Sequence, residues 1–222
     1  PQTSAPPDEA PAGSEPRDEA PAIDEPAPPP PPPPEPAIAQ AHDPALYPGG
    51  TTDTEWRSDG VPVSRRFDDP YFSIADGLAE TRHVFLAGNG LPERLTEGFH
   101  IAELGFGTGL NMLAALLMWR ASGLPGALRY TSFEAFPLRA TEIARALDAF
   151  PEVRAIAAPF LDAWAGAERR APAADRSFCL PGLEAQVLVG DARLRLPQWP
   201  GRADAWFLDG FAPARNPELW EA

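Results

Sequence analysis

From residue 54 onward the apolar positions fall into short blocks separated by turn residues. Trp56 and the group Val61-Pro62-Val63 flank Ser58-Asp59-Gly60, which predicts a short hairpin. Ser73-Ile74-Ala75-Asp76 has the Ser-x-x-acid pattern that opens a helix by satisfying unpaired N–H groups. That helix would carry Leu78, Val84, Phe85 and Leu86 and stop at Gly88-Asn89-Gly90. From residue 99 strands and helices alternate. Phe99–Leu104 reads as a short apolar strand, and Leu110–Arg120 as a helix apolar almost all round and therefore buried. Leu128–Ala135 predicts a second strand, and Leu138–Phe150 a helix with Ile143, Ala144 and Leu147 on one side. Helix resumes over Val153–Trp164 after Pro151, and residues 165–182 read as loop. Gln186–Val189 and Ala205–Leu208 are short strands. The succession predicts an α/β fold built on a doubly wound parallel sheet.

Composition divides the chain in two. It has 222 residues with 18 basic and 32 acidic side chains, a formal charge of -14, which suits one domain with an appendage. Residues 1–50 hold 17 of the 30 prolines and nine acids against the single base Arg17, and Tyr47 is their sole aromatic residue. Such a stretch buries too little apolar surface to offset its ordering entropy. A disordered tail rich in Pro, Ala and acids is expected over 1–50, and a folded domain over 51–222. The run Pro28–Pro34 favours polyproline II, a semi-rigid spacer. The longest apolar stretch, Leu113–Trp119, is far short of the ~20 residues of a membrane-spanning helix. No basic-then-apolar leader opens the chain, and a first residue of Pro hints at a piece of something longer. Cys179 is alone, so a disulfide framework and a Cys-based zinc site are not expected; it reads as a small half-buried apolar side chain, and a reducing cytoplasm fits.

Four constellations carry chemistry. Glu103-Leu-Gly105-Phe-Gly107-Thr-Gly109 ends the first long strand. Closely spaced glycines let the backbone turn sharply and approach a ligand, and the next helix offers free N–H groups to a carboxylate or phosphate. Dinucleotides and S-adenosylmethionine both use this device. The spacing here is Gly-x-Gly-x-Gly, whereas the dinucleotide fingerprint is Gly-x-Gly-x-x-Gly. Glu103 suits a cationic ligand group and sits poorly beside a pyrophosphate. S-adenosylmethionine has an ammonium, a sulfonium and a carboxylate but no phosphate, which favours the methyl donor over a nicotinamide cofactor. Glu134, ending the second strand, can accept from both ribose hydroxyls. Asp191, after Gly190, can accept from an exocyclic adenine amine or cap the helix starting near Ala192. The segment Phe207–Trp220 is the most distinctive: a strand delivers Asp209 to the crevice, a Pro- and Gly-bearing loop places Phe211 beside it, and Asn216-Pro217 opens a helix.

Five stretches together resemble one family: Phe67–Ser73, Asp76–Asn89, Glu103–Asn111, Phe133–Leu138 and Asp209–Trp220. It is the methyltransferase domain of the bacterial bifunctional tRNA 5-methylaminomethyl-2-thiouridine biosynthesis proteins, and the resemblance covers residues 54–222. It implies a Rossmann-like class I fold using S-adenosylmethionine, held by Glu103, Gly105, Gly107, Gly109, Asn111, Glu134 and Asp191. It also implies a cytoplasmic enzyme that methylates the aminomethyl nitrogen of 5-aminomethyl-2-thiouridine at the wobble position of tRNA. In bifunctional members an FAD-dependent oxidoreductase domain removes a carboxymethyl group first; nothing in this chain matches that domain. Asp209 would hydrogen-bond the acceptor amine and take its proton, and Phe211 would contact the base. In the anticodon loop, unstacked bases can be splayed onto aromatic side chains. Tyr71, Phe72 and Pro213 are further candidates for the substrate wall, with core packing an equal reading for the two aromatics.

Two features pull against an intact enzyme. Residues 51–222 stay net acidic, so an RNA would need a local basic patch such as Arg65-Arg66, Arg94, Arg169-Arg170 or Arg202. Class I methyltransferases resemble one another in a seven-stranded sheet, of which four parallel strands can be placed, so a domain cut short with an open apolar edge is expected. An inactive nucleoside-binding fragment and a nicotinamide-dependent oxidoreductase are the alternatives.

Overall fold

The computed structural model describes residues 54–72 and 77–220. The tail over 1–50, its proline run and the Ser73–Asp76 cap lie outside the described residues. β1 (Thr54–Trp56) and β2 (Pro62–Ser64) form the expected antiparallel hairpin, with Thr54 opposite Ser64 and Gly60 turning the chain at φ 85°. A two-residue β3 (Asp69–Pro70) extends it, with Asp68 at φ 48°. Asp tolerates that left-handed conformation better than most residues. α1 (Gly77–Glu80) continues as a π-helical segment over Thr81–Leu86 and a short 3-10 turn over Ala87–Asn89, which ends at left-handed Gly90. The helix and its stop are therefore where the sequence puts them, but its hydrogen bonds are wider.

The main sheet comprises β4 (His100–Leu104), β5 (Leu128–Glu134), β6 (Arg176–Leu180), β7 (Leu183–Val189) and β8 (Ala205–Leu208). Their order is β6-β7-β5-β4-β8. Four strands run parallel, and β6 pairs antiparallel with β7 at one edge. α2 (Leu110–Ser122), α3 (Ala140–Leu147) and α4 (Pro151–Arg170) supply the crossovers up to β6, while α5 (Ala192–Arg195) and α6 (Pro217–Trp220) are single turns. The chain leaves β4 toward β5 and later returns to β8 on the other side. The carboxyl ends of β4 and β8 therefore flank a topological switch point, where ligands of such sheets bind.

Residues 165–182 are not a loop. α4 runs to Arg170, and β6 occupies Arg176–Leu180, with β7 following directly at Leu183. The last turns of α4 are half-buried and Ala-rich, so they carry no apolar period, and the exposed Arg169 and Arg170 complement the helix dipole there. In β6 an Arg occupies an inward position: Arg176 is 2% exposed, which breaks the alternation a strand normally shows. Cys179, also on β6, is exposed rather than half-buried.

The core lies between the sheet and the helices. α2 is buried on nearly every side, as its composition predicts. α4 presents Val153, Ala157, Phe160 and Trp164 at helical spacing. Trp164 joins three parts of the molecule. Its ring stacks on Phe106 at 4.9 Å, its indole N–H donates to the Leu138 carbonyl at 2.9 Å, and the Arg176 guanidinium lies 3.8 Å from its ring centre. That stacking helps hold a buried guanidinium whose Nε and Nη1 have no hydrogen-bond partner. Trp164→Ala should therefore lower the unfolding free energy by about 3–5 kcal/mol, read from the urea midpoint at unchanged slope. Cys179→Ser should stay within about 0.5 kcal/mol of the parent.

Candidate functional site

The glycine turn after β4 is built by close approach. Gly105 has φ 84°, and a Cβ on it would stand 2.3 Å from the Asp209 carbonyl oxygen. No side chain fits between these two chain segments. Gly107 has φ 51° and faces the Tyr71 ring. Gly109, at φ 73°, is the N-cap of α2 and packs against Phe106 and Phe160. Gly105 and Gly107 line a cavity of about 970 Å³, large enough for a nucleoside cofactor with part of a second substrate; Gly109 stands behind them.

Asn111, in the first turn of α2, organises the floor. Its Nδ2 donates to Glu103 Oε1 at 3.0 Å and to Asp209 Oδ2 at 2.5 Å, while the Thr81 hydroxyl lies 2.7 Å from its Oδ1. One amide thus ties the carboxylates that end β4 and β8 to the segment after α1. Glu103 does not line the cavity. It is fully buried behind Asn111, and its Oε2 has no hydrogen-bond partner. Burial raises its pKa to about 8; the Asn111 hydrogen bond opposes this and the charge of Asp209 adds to it. The hydroxyls of Ser132 and Tyr130 lie close enough to favour the charged form, but neither closes a hydrogen bond. Asp209 is exposed toward the cavity, and the protein packed around it still lifts its pKa to about 6 by desolvation, against the Asn111 hydrogen bond and with Glu80 adding to the rise.

The ends of β5 and β7 form the other wall. Glu134 lines the cavity and accepts from the Gly107 N–H at 2.9 Å and the Phe136 N–H at 2.7 Å. Desolvation raises its pKa against those bonds. Each oxygen keeps a lone pair for a hydroxyl donor. Asp191 also lines the cavity, and it caps α5: it accepts from the Arg193 N–H at 2.9 Å and pairs with the Arg193 guanidinium. The capping alternative is therefore present, and it leaves the side chain at the cavity wall.

A strap from the small sheet crosses the mouth, and sequence reasoning misses most of it. Phe67 stacks on Phe211 at 4.7 Å, and Tyr71 meets the same ring edge-on at 5.2 Å. Phe67 also contacts Phe136 at 5.9 Å, whose ring lies 4.4 Å from the Arg66 guanidinium. Asp69 accepts from the Ala212 N–H at 2.9 Å, and Asp68 pairs with Arg215 at 2.8 Å. Phe72 borders the cavity and also belongs to the core, packed on Phe150 at 4.9 Å. Pro213 is exposed and does not border the cavity. The signal for the strap was available in the alternation of acids and aromatics over Phe67–Phe72, but their partners are ~140 residues away. Among the described residues no group of three or more His, Cys, Asp or Glu is placed to hold a metal ion, and no helix is long and apolar enough to cross a membrane.

The cavity's charge selects its ligand. Asp69, Glu80, Glu134, Asp191, Asp209 and Glu218 line it against Arg66, Arg193 and Arg215. Among the described residues no Arg pairs with Glu103 or Asp209. A cation fits this floor and a pyrophosphate does not. A glycine cradle, an orphaned buried carboxylate oxygen and surplus acid together suit S-adenosylmethionine.

Comparison with known proteins agrees. Residues 151–222 match the family described as S-adenosyl-L-methionine-dependent methyltransferase. The chain is similar to the tRNA 5-methylaminomethyl-2-thiouridine biosynthesis bifunctional protein MnmC of Caulobacter vibrioides, 48% identical over 180 residues, covering 79% of this chain and 30% of that protein. It is also similar to the protein of the same name from Methylobacillus flagellatus, 45% identical over 184 residues, covering 80% and 28%. The chain thus spans less than a third of these relatives' length. The crystal structure of MnmC2 from Aquifex aeolicus superposes with a TM-score of 0.54 at 27% identity, covering 75% of this chain and 52% of that one.

Both floor acids make stability depend on pH. Glu103 titrates at about 8 when folded against an ordinary 4.5, and Asp209 at about 6 against 3.8. The folded state therefore holds protons the unfolded state releases, and stability falls as pH rises through those windows. The melting temperature should drop from pH 5 to pH 8. Glu103→Gln should flatten most of the drop above pH 6, as scanning calorimetry would show.

Proposed function

As a relative of the methyltransferase domain of the bifunctional tRNA 5-methylaminomethyl-2-thiouridine biosynthesis proteins, this chain is, we propose, an S-adenosylmethionine-dependent tRNA methyltransferase. Its acceptor would be the aminomethyl nitrogen of 5-aminomethyl-2-thiouridine at the wobble position, and its product 5-methylaminomethyl-2-thiouridine. The observation that carries the reading is the acid floor at the β4–β8 switch point: Glu103 and Asp209 on one amide, with no cationic side chain among the described residues to neutralise them. When bound, the cofactor supplies a methyl group on a cationic sulfur.

The chain's own residues divide the remaining work. Gly105 and Gly107 bring the backbone against the cofactor, while Gly109, behind them, only turns the chain into α2, whose unpaired N–H groups suit the cofactor's carboxylate. Glu134 accepts from the ribose hydroxyls and Asp191 from the adenine amine, both at strand ends on the cavity wall. Asn111 fixes the carboxylate of Asp209. Asp209, ionised above about pH 6, accepts a hydrogen bond from the neutral acceptor amine and then its proton. Phe211 and Tyr71 offer the base an aromatic surface, and Phe72 closes the wall behind them. Pro213, on the outer side of its loop, is placed to shape that loop rather than to touch the base. Positioning and electrostatics carry such a transfer, because the leaving group is already activated.

The acid lining disfavours the nicotinamide alternative. The relatives' bifunctional name implies a second activity; in this reading the FAD-dependent oxidoreductase lies outside this chain and supplies the free amine that Asp209 receives. The soluble cytoplasm, where tRNA resides, is the compartment this reading implies. The test is methyl transfer to tRNA from cells lacking the modification, alongside titration with S-adenosylhomocysteine and NAD. Saturable binding of the first ligand alone, with methyl incorporation at the wobble base, is expected. Asp209→Ala should lower kcat about 10²–10⁴-fold while S-adenosylhomocysteine binding changes less than about fivefold. Binding of NAD in its place, or an undiminished Asp209→Ala, would remove the reading.

A further inference from the structure

Glu103 is the one floor acid that the proposed chemistry leaves without a task. It is 0% exposed, it touches the cavity only through Asn111, and its Oε2 points at nothing that bonds it. The groups facing it are all neutral or acidic. β5 contributes the unpartnered hydroxyls of Tyr130 and Ser132, β8 contributes Asp209, α2 contributes Asn111, and beyond Asn111 stand Thr81 and the Glu80 carboxylate that acts on Asp209. A buried carboxylate with no cation beside it takes up a proton, because a single neutral hydrogen bond from Asn111 does not replace the hydration the charged form loses. Oε1 accepts from Asn111 in either state, so the proton belongs on Oε2, the oxygen left orphaned.

We propose that Glu103 senses the charge on the cofactor sulfur: it is a neutral acid in the empty or thioether-bound cleft and becomes a carboxylate when the sulfonium binds. The inference rests on the S-adenosylmethionine reading of the site and deepens it. Asn111 is the coupling element. Its two amide hydrogens hold both carboxylates, so a cation arriving at the cavity face of Asn111 stabilises negative charge on each. The protein then grips the methylated, cationic cofactor more tightly than the neutral thioether left after transfer, which favours exchange of product for substrate. Protons balance over the turnover. Glu103 releases one to solvent on binding, and takes one back once the thioether replaces the sulfonium. The acceptor nitrogen, which gains a methyl, gives up one through Asp209.

The experiment is isothermal titration calorimetry of the chain at pH 7.0 with S-adenosylmethionine and with S-adenosylhomocysteine, each in phosphate and in Tris. The difference in heat between buffers counts protons released. S-adenosylmethionine should release most of one proton and S-adenosylhomocysteine close to none. Glu103→Gln, which keeps the acceptor for Asn111, should still bind both ligands and lose that release. The ligand's own ammonium titrates equally against both proteins, so their difference isolates Glu103. In the parent chain, the affinity ratio of the two ligands should rise about tenfold per pH unit between pH 6.5 and 7.5, a readout that needs no variant. Equal proton release with both ligands, release retained in Glu103→Gln, or release abolished only in Asp209→Asn would overturn the inference while leaving the cofactor assignment intact. No saturable heat with either ligand would overturn that assignment itself.

Discussion

A single amide on α2 holds together two carboxylates from neighbouring parallel strands, and the rest of the site depends on that contact. Asn111 reaches Glu103 at the end of β4 and Asp209 at the end of β8 with the same nitrogen. It can do so because β4 and β8 pair in register, Leu104 beside Leu208, and because Gly105 lets the two exits pass with no room for a Cβ. Its carbonyl end is spent on Thr81, which binds the segment after α1 to the same point. Sheet topology, glycine turn and helix start are thereby fixed relative to one another. Among the described residues no cation pairs with the acids they deliver, so their charge stays available to a positively charged ligand.

Much of this was legible because local chemistry and tertiary role coincide. The strand ending at Leu104, the glycine turn, the all-apolar α2 and the Pro217 helix start each carry their own signal, and each stands where that signal puts it. The failures have a common cause. Arg176 is buried at an inward strand position where stacking on Trp164 compensates for it, so β6 loses the alternation that would announce it. The end of α4 is half-buried and shows no apolar stripe. Glu103 was placed at the ligand from its position in the chain, and the structure sets Asn111 between them. Sequence spacing identifies which strand end a residue belongs to. It does not tell which of two side chains at that end lies in front.

The strap over the mouth shows how a small appended sheet acquires a role that no motif in it announces. β3 is only Asp69–Pro70, yet the turn before it presents Asp68 and Asp69 to the loop after β8 and lays Phe67 on Phe211. The same ring reaches Phe136 beyond β5. One short segment therefore spans both sides of the switch point and joins the cavity wall beyond β5 to the loop after β8. Phe211 is held in place by rings rather than by its own loop, whose outer residues, Pro213 among them, are exposed.

An acid-lined cavity sits awkwardly with the RNA acceptor proposed above, and the placement of the charges eases the conflict. Glu103 is fully buried behind Asn111, and Asp209 opens toward the cavity beside it. Arg66, Arg193 and Arg215 stand at the rim, each already engaged: Arg66 on the Phe136 ring, Arg193 with Asp191 and Glu218, Arg215 with Asp68. At physiological ionic strength exposed charges more than about 8 Å apart are largely screened from one another. A phosphate at the rim would first meet these arginines. To bind there it must displace carboxylate partners, so each contact contributes less than one made by an unengaged cation. Affinity for the proposed acceptor would then come from aromatic surface as well as from charge, and the stack of Phe67 and Tyr71 on Phe211 puts that surface on the loop that carries Asp209, where the proposed chemistry would bring the amine.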